Sequence, residues 1–116
     1  MNGSLPVVIG AVARPAVERA ARIGDGFVTG VRDWDTSRTE IGWYRAAGGT
    51  GQVVLRVMPP VEDTPDLAED FARIVLEDLK RAADLGADEI HWEPGLTGIA
   101  PDRQIEALEA PAAKLA

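Results

Sequence analysis

Apolar and polar positions alternate along this chain in four blocks, each a short apolar run followed by a helical period. Val7, Val8 and Ile9 form a run with no polar interruption, which suits a parallel strand covered on both faces, and Gly10 ends it. Pro15 sits where a first helical turn tolerates a missing N–H, and Gly24 is placed to turn the chain into the left-handed region after the helix. Between them Val17, Ala20, Ala21 and Ile23 give a narrow face of mostly small residues. Phe27 to Gly30 reads as the second strand. Ser37-Arg38-Thr39-Glu40 has capping-box spacing and predicts a helix through Ile41, Trp43, Tyr44 and Ala47, ended by Gly48 to Gly51.

Val53 to Met58 predicts a third strand stopped by Pro59-Pro60. Thr64-Pro65-Asp66 then opens the clearest helix, with Leu67, Phe71, Ile74, Val75, Leu79, Ala82 and Leu85 on one stripe. Its other face offers Glu69 to Arg73 and Glu77 to Arg81 at i,i+4. Gly86 stops it. Glu89 to Glu93 predicts the fourth strand, ending at Pro94-Gly95, and the loop from Leu96 to Ala100 leads to Pro101-Asp102. There a last helix begins, with Ile105, Leu108 and Leu115 as its apolar positions and Pro111 as a kink or an early end. Met1 to Leu5 reads as a loose start.

Four strands alternating with four helices over short connections predict an α/β chain with a parallel sheet, organised as a single domain over residues 1–116. Two arrangements satisfy this pattern. One is an open sheet, with a flavodoxin-like strand order as the standard form. The other is half of an eightfold barrel, which alone would leave two unpaired strand edges and an uncovered sheet face.

The order and spacing of Pro6 to Gly10, Pro15 to Gly24 with Ala20-Ala21-Arg22-Ile23-Gly24, and Asp25-Gly26-Phe27 resemble the luciferase-like monooxygenase family. Those barrel enzymes use reduced flavin or the related deazaflavin coenzyme. Ala83 to Ile90 is similar to that family's last helix-to-strand junction. The resemblance covers only the second half of such a barrel. It therefore implies a TIM-type (β/α)8 half-barrel, completed by a homodimer or by a complementary half-barrel. It also implies an FMN or deazaflavin coenzyme, held by its phosphate at Gly10, Ala11, Val12, Thr29 and Gly30. Arg14 could add a full charge beside the N–H groups of a helix N-terminus. The family often has a second glycine after the first strand, where this chain has Ala11-Val12-Ala13. The plain alternative is that Gly10 ends a strand and Arg14 is surface charge.

In barrels the site is built from the loops that follow the strands, which nominates Gly10 to Arg14, Thr29 to Asp33, Met58 to Val61 and Trp92 to Thr97. Strand alternation adds a second group. If Ile90 and Trp92 face the helices, Glu89, His91 and Glu93 face the other way, joined by Arg56 from the neighbouring strand. His91 is the only histidine, and His91, Glu93 and Arg56 are the candidate catalytic residues because an imidazole beside a carboxylate can move a proton near neutral pH. A structural polar layer is the competing reading. One histidine among scattered carboxylates has no metal-ligand spacing. Trp34 is expected in a loop at the site rim, and Trp43 in the core or a subunit interface.

Composition removes other classes. The 116 residues carry a formal charge of −7 and no basic cluster with interleaved aromatics, which argues against nucleic acid as a partner. No apolar run approaches the roughly 20 residues of a membrane span. There is no cysteine, which fits a reducing, cytoplasmic setting. The activity the resemblance implies is that of a flavin- or deazaflavin-dependent oxidoreductase or monooxygenase, with a small-molecule substrate. The alternative is a non-catalytic assembly or ligand-binding protein that keeps the scaffold without the enzyme.

Overall fold

The computed structural model describes residues 5–58, 63–93 and 99–115. The order is β1 (Val8–Gly10), α1 (Arg14–Ile23), β2 (Gly26–Gly30), α2 (Trp34–Ala46), β3 (Gln52–Val57), α3 (Leu67–Asp84), β4 (Glu89–Trp92) and α4 (Pro101–Leu115). The four strands pair in parallel in the order β1-β2-β3-β4. A flavodoxin-like order would not place the strands in sequence, so that form of the open sheet is set aside. The stops at Pro59-Pro60 and Pro94-Gly95, and most of the loops that follow β3 and β4, lie outside the described residues.

Register explains which side chains meet the helices. Ile9, Phe27 and Val53 are partners across three strands, as are Thr29, Leu55 and Ile90, with Val57 and Trp92 beyond them. These residues face the helices. Phe27, Val53 and Leu55 are buried in one core with Val17 and Ala20 of α1, Ile41 and Tyr44 of α2 and Ala82 of α3. Phe27 stacks on Tyr44 with ring centroids 5.2 Å apart. Leu67, Phe71, Val75, Ile99 and Ala107 make a second core, against which Trp92 packs. The opposite sheet face carries Gly10, Val28, Val54 and Glu89 in one row and Gly30, Arg56 and His91 in the next. On that face Val54 is buried, while Gly10, Gly30, Arg56, Glu89 and His91 are exposed.

Several local expectations change. Helix α2 starts three residues before Ser37, because Asp33 is its N-cap: its carboxylate accepts from the Thr36 N–H at 2.7 Å and from the Thr36 hydroxyl at 2.6 Å. Those two bonds hold the Asp33 carboxyl below its ordinary value, the hydroxyl contributing most. Ser37 and Glu40 therefore lie inside the helix, buried against the sheet, instead of forming a capping box. Trp34 is the first residue of α2, packed on the core beneath the Arg81 guanidinium at 5.8 Å. Trp43 is half-buried against the core, as expected.

Gly24 has φ −100°, so it makes no left-handed turn; an added Cβ there would lie 2.9 Å from the Ile9 Cδ1 and 3.1 Å from the Ala20 carbonyl oxygen. The left-handed stop occurs at Gly86, with φ 76°. Helix α3 begins at Leu67, and Thr64 to Asp66 form the turn before it, with the Asp66 N–H donating to the Thr64 hydroxyl at 3.3 Å. Arg73 pairs with Asp70 at 3.4 Å and Glu77 at 3.8 Å, and Arg81 pairs with Asp78 at 3.9 Å, so the expected pairs Glu69 to Arg73 and Glu77 to Arg81 are replaced by neighbours one residue away or one turn on. Helix α4 continues through Pro111, which is buried. Ile105, Leu108 and Leu115, the apolar positions read along this helix, are exposed.

Candidate functional site

The candidate site lies at the C-terminal end of the sheet, on the face turned away from the helices. Gly10, Ala11, Val12, Val28, Thr29, Gly30 and Arg56 line one hollow of about 290 Å³. Five of the six residues expected to hold a coenzyme phosphate are therefore gathered in one place, together with one of the three expected catalytic residues. Gly30, Arg56 and His91 are also register partners across β2, β3 and β4, so the two expected groups form one continuous row.

Neither glycine in the hollow is required by the fold. Both have φ outside the left-handed region. A Cβ added at Gly10 would make ordinary contact with Val28 at 3.5 Å, and one at Gly30 would meet nothing within 4 Å. Their missing side chains leave open space at the mouth of the hollow. Arg56 is the cation there, and its guanidinium is paired with Glu93 just after β4, the Nε donating at 3.1 Å. Between β1 and α1 the Val12 N–H has no hydrogen-bond partner among the described residues. Ala13, the N-cap of α1, offers no side-chain cap. Such a strand end combines an open backbone donor, the positive end of a helix dipole and a full positive charge.

Three expected contributors are used elsewhere. The Thr29 hydroxyl donates to Glu40 Oε1 at 3.2 Å beneath α2, because position 29 falls on the helix-facing side of β2. The Ala11 N–H extends the β1–β2 ladder, donating to the Val28 carbonyl at 3.2 Å. Arg14 points along its own helix, paired with Glu18 at 3.3 Å and lying 5.7 Å over the Trp43 ring. Position 14 is the first residue of α1, and its side chain packs toward α2 instead of back over the strand end.

His91, Glu93 and Arg56 share the open sheet face, as alternation requires, but they form two pairs and not a triad. His91 Nε2 lies 2.8 Å from Glu89 Oε2, two residues along the same strand, while Glu93 is taken by Arg56. With Nε2 donating to Glu89, Nδ1 is the ring position able to accept a proton. All four side chains are about half exposed in the single chain.

No protein-family model and no curated protein matches the chain.

Sequence reasoning missed two buried carboxylates. Glu40 is 1% exposed, and burial raises its pKa above the ordinary value against the opposing effects of the Thr29 hydroxyl and Arg32. Its Oε2 makes no hydrogen bond and has Arg32 Nη2 at 3.5 Å. Asp78 is raised for the same first reason, opposed by the Trp92 indole N–H at 3.2 Å and by Arg81. Asp78 falls inside the apolar period of α3, three residues after Val75 and four before Ala82, and that position was the available signal. It borders a second cleft of about 280 Å³ that Arg32, Asp33, Trp34, Met58 and Arg81 also line. No group of three or more metal-ligating side chains occurs among the described residues, and no helix among them is long and apolar enough to cross a membrane.

Proposed function

We propose that this chain is one half of a (β/α)8 barrel that holds the phosphate of a flavin or deazaflavin coenzyme, and that it acts in oxidoreductase chemistry when a second half closes the barrel. The observation that carries the reading is the hollow where Gly10, Val12, Gly30 and Arg56 meet, with His91 next in the same row. Sequential strand order and a sheet face on which Arg56, Glu89 and His91 are exposed support the half-barrel, because a closed cylinder buries that face and leaves no strand edge.

In this arrangement the open glycines admit an anion, the Val12 N–H and the α1 dipole stabilise it, and Arg56 supplies the full charge by exchanging Glu93 for phosphate. The coenzyme ring supplies the redox chemistry when bound. The protein's own contribution is to anchor the phosphate, exclude water from the closed lumen, and hold His91 Nδ1 ready to accept a proton while Glu89 fixes the ring. Substrate enters from the same end.

A second reading is favoured by one specific observation: the Thr29 hydroxyl and the Ala11 N–H are both used within the fold. A scaffold that assembles without catalysis would need neither. Thermal unfolding with FMN and with riboflavin separates the two. The coenzyme reading expects FMN to raise the melting temperature and riboflavin, which lacks the phosphate, to leave it unchanged; a ligand at 100 times its Kd contributes about 2.7 kcal/mol. No shift with either compound would leave the scaffold reading.

A further inference from the structure

Helix α4 carries two apolar stripes, and the fold uses one. Ala107 and Pro111 are buried, while Arg103 on the adjoining flank reaches the Thr64 carbonyl and Asp63 in the turn before α3. Ile105, Leu108, Ala112 and Leu115 follow one another at three, four and three residues and form a second stripe, roughly a third of a turn away. Ile105, Leu108 and Leu115 are 57%, 48% and 54% exposed.

Helix α1 has the complementary arrangement at the other end of the sheet. Arg14 faces α2 through Trp43, so Ala16, Arg19 and Ile23 lie on the flank away from α2. Ile23 is 68% exposed. Helix α4 packs chiefly on α3, and its second stripe is left exposed beyond that contact. Charge agrees: α1 has Arg14, Arg19 and Arg22 against Glu18, whereas α4 has Asp102, Glu106 and Glu109 against Arg103 and Lys114. Among the described residues, β1 and β4 are each paired on one side only.

The geometry points to a second copy of this chain as the other half of the barrel. The Ile105, Leu108, Ala112 and Leu115 stripe of each copy packs on the Ala16 and Ile23 flank of the other, Arg19 meets Glu109 at the rim, and the β4 edge joins the β1 edge. One twofold axis along the barrel generates both contacts. The inference rests on the half-barrel reading and names its partner.

Light scattering across a dilution series tests it with Leu108→Glu, Ile105→Glu, Arg19→Glu and the double change Arg19→Glu with Glu109→Arg. These positions are surface sites in the single chain, and far-UV circular dichroism confirms that each variant folds. The parent should be a dimer; Leu108→Glu and Ile105→Glu should each weaken it by about tenfold or more, Arg19→Glu should weaken it less, and the double change should restore it. A parent that stays monomeric at every concentration, or a dimer indifferent to both α4 substitutions, overturns the proposal. Because the chain has no cysteine, Glu89→Cys gives a single thiol on the inner sheet face and reports closure separately. A dimer sensitive at α4 whose thiol still reacts freely keeps this interface and overturns the barrel reading. A protected thiol in a dimer indifferent to α4 does the reverse.

Discussion

The Thr29 hydroxyl donates to the Glu40 carboxylate at 3.2 Å, tying the C-terminal end of β2 to the middle of α2 in a buried position. This pair explains why the Thr29 hydroxyl does not serve the hollow on the other side of the sheet. Thr29→Val would leave Glu40 with only the Arg32 guanidinium, and a buried carboxylate that loses a donor costs about 1–3 kcal/mol. Urea unfolding at neutral pH should show that loss while FMN binding stays at the parent level.

Burial raises the Glu40 pKa above its ordinary 4.5. In the folded protein the proton is held more firmly than in the unfolded chain, so this group's effect on stability becomes less favourable as pH rises from the ordinary value through the folded one. Above the folded value the penalty is constant. Glu40→Gln keeps an acceptor for Thr29 and removes the titration, so the variant should gain on the parent as pH increases across that window. Urea midpoints measured from pH 4 to 7 check this, and parallel profiles for the two proteins would contradict it.

Trp92 and Asp78 form the equivalent tie between β4 and α3, at 3.2 Å. Trp92→Phe keeps most of the packing against Phe71 and its neighbours and removes the donor, so about 1–3 kcal/mol should be lost in chemical denaturation. Asp78→Asn combined with Trp92→Phe should cost less than the sum of the single changes, because the amide that remains carries no buried charge.

Glycines divide by role. A Cβ at Gly51 would lie 2.0 Å from the Asp25 carbonyl oxygen and 2.9 Å from the Tyr44 hydroxyl, so Gly51→Ala should prevent stable folding or lower the melting temperature sharply. Gly30→Ala meets nothing and Gly10→Ala meets Val28 only at contact distance. Both should leave stability unchanged or raise it by about 0.5–1 kcal/mol through the unfolded chain. Both should nevertheless weaken FMN binding, since their open space is what admits the phosphate.

Much of the fold was legible because each element is marked locally. Continuous apolar runs gave the strands, Gly86 and the proline-led helix starts gave boundaries, and alternation along β4 correctly separated Ile90 and Trp92 from Glu89, His91 and Glu93. The misreadings share one cause, a competition between local signals that only packing decides. Ser37 and Glu40 have capping-box spacing, but Asp33 makes the stronger cap with Thr36 and draws both into the helix interior. Thr29 has the right residue type for a phosphate contact, but the pleat turns it toward Glu40. Arg14 is close in sequence to the hollow, but its long side chain finds Glu18 and Trp43 first. Ile105, Leu108 and Leu115 share a helical period, yet α4 buries its smaller Ala107 and Pro111 against α3 instead, and no single helix pattern tells which of two apolar stripes meets the neighbouring helix.

The central claim is that the Gly10, Val12, Gly30 and Arg56 hollow receives a coenzyme phosphate. The most direct measurement is a backbone ¹⁵N–¹H spectrum of the protein titrated with FMN and, separately, with riboflavin. The account predicts saturable FMN shifts at Val12, Gly30 and Arg56 that riboflavin does not produce and that Arg56→Ala removes. Shifts confined to other residues, or none at saturating FMN, would contradict it.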